Sequence, residues 1–305
     1  MAFSNHYRHQ VNLLVRTLPH VAEEACFALK GGTAINLFIR DLPRLSVDID
    51  LTYLPIEDRQ TSLVAIDQAL SRIGERIKAS DKTISVTASS PASQSTSNKL
   101  VIRSKDRVQI KIEVTPVLRG CVYDPVMMEV SEKTESQFGF AEMSVLSFSD
   151  LYAGKIMAAL DRQHPRDLFD VYQLLNNEGI SGDMRTALII YLISHDKPPH
   201  LSLAPTLKDI SQEYEQNFVG MTTDEVSLDM LTNARERLVE DVGSNMPENH
   251  KDFLRSFYRR DPQWNLLGIE GAKDLPAVRW REINLDKAGK GTKENILQKL
   301  EEVIG

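Results

Sequence analysis

From Ser46 to Tyr53 the chain reads SVDIDLTY, with Val47, Ile49 and Leu51 on one parity and Asp48, Asp50 and Thr52 on the other. A period of two marks a half-buried strand, because successive side chains leave opposite faces. On such a strand Asp48 and Asp50 project from the same face, with Cα atoms about 7 Å apart. Two carboxylates so placed can grip one Mg²⁺ or bridge two, leaving positions for phosphate oxygens and water. A solvated polar face would carry the same residues, so the pair alone does not decide between the two.

The residues upstream shift the balance. A short apolar run, Cys26 to Leu29, leads into Lys30-Gly31-Gly32-Thr33, and residues 34–40 have helical spacing. Paired glycines between a strand and a helix let backbone N–H groups approach a phosphate, and the Thr33 hydroxyl adds a donor. An ordinary tight turn would also use two glycines. A Gly-Gly-Thr turn, a helix and a strand bearing Asp-x-Asp form a much rarer combination.

A third carboxylate is expected on a neighbouring strand, and the segment VQIKIEV supplies Glu113. Val108, Ile110, Ile112 and Val114 take one face, while Gln109, Lys111 and Glu113 take the other. Glu113 can complete a metal site or act as general base toward an attacking hydroxyl. Lys111 can pair with Glu113 or with a phosphate. Farther on, Lys155 lies among small and apolar residues on a helix opened by Ser147-Phe148-Ser149-Asp150. It is either a snorkelling lysine or a point charge for a phosphate. A new helix begins at His164-Pro165, with Asp167 and Asp170 on one side at i and i+3.

The pattern as a whole is α+β. A mixed α/β region over residues 1–146 precedes a mainly helical region over residues 147–305, with strands at 99–103 and 107–115 and helices near the start and at 57–79. Pro19 is expected to end or kink the first helix, and the Ser-rich stretch 87–98 reads as a loop. Two cysteines are too few for a disulfide scaffold or a zinc site. No apolar run is long enough for a bilayer and no secretory signal is evident, which points to the cytoplasm. A net charge of −7 argues against a protein that coats nucleic acid non-specifically.

Together these segments resemble the AbiEii/AbiGii family of nucleotidyltransferase toxins from toxin–antitoxin and abortive-infection systems. The matching stretches are residues 30–34, Arg44 to Leu51, Ile110 to Val114, the Lys155 helix and Arg166 to Asp170, with DPQW and LPAVRWR near the end. The interval from Gly32 to Asp48 is longer than the common superfamily spacing, a form this family also shows. The resemblance implies a polymerase-β-like nucleotidyltransferase domain with a mixed sheet, a helical domain after it, and Mg²⁺-dependent transfer of NMP from an NTP. It implies Asp48 and Asp50 at the metal, where Glu113 is expected as the third ligand, and Gly31, Gly32 and Thr33 at the triphosphate, where Ser46 and Lys155 are also expected. It places Lys155, Asp167 and Asp170 beside the catalytic carboxylates, in a cleft between the two regions. It further implies addition of nucleotides to the 3′ end of tRNA, inhibiting translation, and a cognate antitoxin, a transcriptional regulator from an adjacent gene. Two other readings remain open on the residues themselves: NMP transfer to a protein hydroxyl, or an inert binding module that keeps the fold.

Overall fold

The computed structural model describes residues 5–89 and 96–305. The chain forms two compact units, one comprising Met1–Ser147 with Gly220–Glu225, the other Phe148–Val219 with Val226–Gly305.

The first unit is built on a seven-stranded mixed sheet. In chain order its strands are β1 (Phe27–Lys30), β2 (Asp48–Tyr53), β3 (Ser85–Ser89), β4 (Lys99–Arg103), β5 (Gln109–Val114), β6 (Val126–Glu129) and β7 (Glu142–Val145). Their spatial order is β3-β4-β5-β2-β1-β7-β6. β2 pairs antiparallel with β1 and parallel with β5, which makes it the central strand. Leu29, Ile49, Leu51, Ile110, Ile112 and Val114 are fully buried, so the expected alternation holds on both β2 and β5.

Helices α1 (Asn5–Ala22) and α3 (Arg59–Ser80) pack on this sheet, α1 against β5 and β7 and α3 against β3 and β4. Asp58 caps α3 by accepting from the N–H groups of Gln60 and Thr61. Pro19 does not end α1 but lies in its last turn, where little helix remains to be disrupted. Helix α2 (Gly31–Ala34) begins at the glycine pair and runs on as a π-helical turn, Ile35–Ile39. A short helix, α4 (Glu132–Phe138), is capped by Ser131 and lies between β6 and β7. Residues 87–89 belong to β3 rather than to the Ser-rich loop, of which residues 90–95 lie outside the described residues.

The second unit is helical throughout the described residues. It contains α5 (Phe148–Arg162), α6 (Pro165–Asn176), α7 (Gly182–Ser194), α8 (Pro199–Leu203), α9 (Ser211–Asn217), α10 (Leu228–Val242), α11 (Glu248–Tyr258), α12 (Pro276–Lys287) and α13 (Lys290–Ile304). α5 packs on α6 and α7, and α10 packs on α5 and α6. Leu151, Ile156, Leu160, Leu168, Phe169 and Leu238 are buried in that unit's core. The segment Gly220–Glu225 belongs to the first unit, where Arg44 and Thr222 form an isolated antiparallel bridge and the Leu45 N–H donates to the Met221 carbonyl at 3.1 Å.

Candidate active site

β2 fixes the site. With Ile49 and Leu51 held in the core, Asp48 and Asp50 emerge half-buried on the opposite face. The register then places partners beside them. Asp50 is opposite Lys30 on β1 and opposite Glu113 on β5, while Asp48 is opposite Lys111. Lys99 on β4 is opposite Glu113 and bridges it at 3.2 Å. A row of charge therefore crosses four strands in the order Lys30, Asp50, Glu113, Lys99.

The glycine pair abuts this row. Gly31 has φ +74°, and a Cβ there would stand 2.7 Å from Asp50 Oδ2. The turn thus needs glycine twice over, for the left-handed backbone and for the close approach to the carboxylate. A Cβ on Gly32 would meet the Arg44 guanidinium at 2.8 Å and Ser46 Oγ at 2.9 Å. Arg44 is buried and donates to the Leu45 carbonyl at 2.9 Å. Thr33 is fully buried, and its hydroxyl donates to the Asp48 carbonyl at 2.5 Å, with Ser46 Oγ 3.1 Å away. Thr33 therefore ties the glycine turn to the start of β2.

Sequence reasoning gave Lys30 no role, yet its ammonium sits inside the site. It donates to Thr115 Oγ1 at 2.6 Å. Burial pushes its pKa below the ordinary lysine value, and the charges of Asp50 and Glu113 oppose that shift. The signal that could have found it is its position next to Gly31 at the end of a buried strand. What local sequence lacks is the register of β1 against β2.

The fit to a divalent ion can be judged from these side chains. Among the described residues no group of three or more His, Cys, Asp or Glu gathers closely enough to hold a metal by itself. Asp48, Asp50 and Glu113 share a face without converging, and Glu113 is engaged by Lys99. The Asp48 carboxylate makes no hydrogen bond or ion pair among the described residues although it is half-buried. A pair of strand carboxylates, one of them without a protein partner, suits an ion that draws most of its ligands from phosphate and water.

The second unit holds its own charged centre. Lys155 on α5 is buried and bridges Asp167 at 2.7 Å and Asp170 at 2.9 Å, both on α6. Arg162 adds a contact to Asp167 at 2.7 Å. The cap of α6 is His164, whose Nδ1 accepts from the Arg166 N–H, so neither aspartate is needed for that task. Their i, i+3 spacing instead aims both carboxylates at one ammonium.

The C-terminal arginines are heavily paired. Arg255 bridges Glu248, Asp252 and Glu301, Arg260 bridges Glu282 and Asp286, and Arg279 bridges Asp274. Arg281 donates to the carbonyls of Asp196 and Lys197.

The chain as a whole has counterparts among known proteins. A family model for the nucleotidyl transferase AbiEii toxin of type IV toxin–antitoxin systems matches residues 12–280. The chain belongs to the AbiEii family. It is a nucleotidyltransferase of the toxin class, as the resemblance implied. Among solved structures it is similar to MenT4, a nucleotidyltransferase toxin from Mycobacterium tuberculosis H37Rv. The two share 14% identity with a TM-score of 0.55, over 96% of this chain and 93% of the other. At that identity the likeness is one of fold, and it bears out the α+β class. No curated protein sequence matches the chain. No helix of the described residues is long and apolar enough to cross a membrane. An AbiEii toxin takes an NTP as donor and has an antitoxin as partner.

Proposed function

We propose that this AbiEii enzyme transfers NMP from an NTP to the 3′ end of tRNA, using the open face of β2 and a divalent ion, with Mg²⁺ as the physiological choice. The observation that carries the reading is the placement of Asp48 and Asp50 on one face of a central strand, with the Gly31 backbone pressed against Asp50. Asp48 and Asp50 would hold the ion, with Glu113 beside them as the third carboxylate. When bound, the ion offsets phosphate charge and orients the triphosphate.

The remaining work falls to the chain. The Gly31-Gly32 turn leaves room for phosphate oxygens near the first N–H groups of α2. Ser46 and Thr33 hold that turn in place, and Lys111, which makes no ion pair among the described residues, offers a charge on the same face. The acceptor hydroxyl attacks the α-phosphorus, the bond to the pyrophosphate leaving group breaks, and Glu113 takes the hydroxyl proton. The family also implicates Lys155, Asp167 and Asp170 in transfer. Within their own unit they form a buried ion triad, so their contribution must be measured apart from stability.

Support for tRNA as acceptor is the family reading. Arg255, Arg260, Arg279 and Arg281 already have acidic or carbonyl partners. The antitoxin would be a transcriptional regulator encoded beside this gene. The deciding experiment offers α-labelled NTPs and Mg²⁺ with total tRNA and with cell protein in separate reactions. Label on tRNA 3′ ends supports the proposal, and label on protein alone would replace it with AMPylation-type chemistry. Label on neither would favour an inert module.

A further inference from the structure

The charges on the carboxylate face of β2 balance. Asp48, Asp50 and Glu113 supply three negative charges, and Lys30, Lys99 and Lys111 stand opposite them in register on the same face. All three lysines are half-buried, and Lys30 is set apart by its partners. It ends β1, is held by Thr115 Oγ1 at 2.6 Å, and feels both Asp50 and Glu113. Thr115 follows Glu113 by two residues and so lies on the same side. The glycine at position 31 removes the side chain that would otherwise separate the loop from Asp50.

We propose that Lys30 is a built-in counter-cation of the catalytic carboxylates, which keeps the ion-free enzyme closed to a divalent cation until a triphosphate arrives. This rests on the reading of Asp48 and Asp50 as metal ligands. An ammonium on the residue opposite Asp50, within electrostatic reach of Asp50 and Glu113, repels a second cation at the same carboxylates, so the face binds a bare ion weakly. A triphosphate changes the sum. It adds negative charge to which Lys30 can turn, and the carboxylates are left with room for the ion. Lys30 is thus a positioning residue that couples the two ligands through linkage, in which each raises the affinity for the other. The arrangement also accounts for three carboxylates that share a face without converging.

The test is calorimetric titration of Mn²⁺ into the full chain, with and without a non-hydrolysable NTP analogue. Lys30→Met should bind Mn²⁺ without the analogue at least about tenfold tighter than wild type, as expected for removal of one nearby positive charge. With the analogue bound that advantage should vanish. Lys30→Gln, which keeps a donor for Thr115, should behave like Lys30→Met and serves if the methionine variant does not fold. Lys30→Arg should behave like wild type. Unchanged or weaker Mn²⁺ binding in both neutral variants overturns the proposal, since a purely structural lysine could not raise ion affinity when removed. If Asp50→Asn retains wild-type Mn²⁺ binding with the analogue present, the metal assignment itself is wrong and this inference falls with it. If Asp50→Asn loses that binding while the neutral Lys30 variants show no gain, only this inference fails.

Discussion

Asp50 and Glu113 stand directly opposite each other across the parallel pair β2 and β5, whereas Asp48 stands opposite Lys111. The two aspartates thus have different surroundings despite their equivalent spacing on the strand. Asp50 lies between Lys30 and Glu113 and against Gly31, and Asp48 has a carboxylate with no protein partner among the described residues.

Both aspartates are required on this view, and neither packs the core. Asp48→Asn and Asp50→Asn should each abolish nucleotide transfer, at a cost of several kcal/mol in transition-state stabilisation. Thermal midpoints should remain within a few degrees of wild type. Transfer near the wild-type rate in either variant would show that the ion is held elsewhere.

The glycine turn separates two kinds of crowding. At Gly31 an alanine meets Asp50 Oδ2 at 2.7 Å and must also hold φ +74°, which costs about 1–2 kcal/mol for a residue with a Cβ. At Gly32 the obstacles are the ends of the Arg44 and Ser46 side chains, which can move. Gly31→Ala should lower transfer by at least about tenfold, corresponding to displacement of one carboxylate from its productive position. Gly32→Ala should lower it less. The reverse order in kcat/KM would count against the close approach at Asp50.

Lys155 poses a problem of interpretation that two measurements resolve. Lys155→Ala leaves Asp167 and Asp170 buried without the ammonium they share, and should cost about 3–5 kcal/mol of stability in chemical denaturation. Asp170→Asn retains a partner for Lys155 in Asp167 and should cost less. If Lys155 also serves transfer, Lys155→Ala should lower the rate about a hundredfold at a temperature where it is fully folded. Full activity in that folded variant would confine its role to stability.

Acid should weaken one structural tie in the first unit. Glu24 is buried, receives Arg72 at 2.6 and 2.9 Å and Arg76 at 2.7 Å, and joins the end of α1 to α3. The Arg72 hydrogen bonds, helped by the one from Arg76, pull its pKa below the ordinary 4.5 against the effect of burial. A depressed carboxylate pKa stabilises the fold above the unfolded value and loses that contribution as pH falls through the folded one. Wild type should therefore exceed Glu24→Gln in thermal midpoint at neutral pH, with the gap closing below about pH 4.5. A gap independent of pH would mean the carboxylate charge is not what stabilises this contact.

Much of this arrangement could be read from local sequence. Period-two burial on β2 and β5, the glycine pair that opens α2 and the helical character after residue 147 follow from nearest neighbours along the chain. The partnership of Lys30 with Asp50 does not. It depends on an antiparallel register between segments twenty residues apart, and nothing local in either specifies that pairing. The return of Gly220–Glu225 to the first unit is equally non-local, since it rests on backbone bonds to Arg44 and Leu45. Helix α4 was hidden for another reason: seven polar and aromatic residues carry too short a pattern to show a helical period.

The most direct test of the central claim is a time course of α-labelled NTP incorporation into purified tRNA, in Mg²⁺, by wild type and by folded Asp50→Asn. Wild type should label the 3′ end, lose that labelling when the divalent ion is chelated, and regain it when Mg²⁺ is restored; Asp50→Asn should remain at background throughout. Labelling by Asp50→Asn at the wild-type rate, or wild-type labelling that survives chelation, would contradict transfer at the carboxylate face of β2.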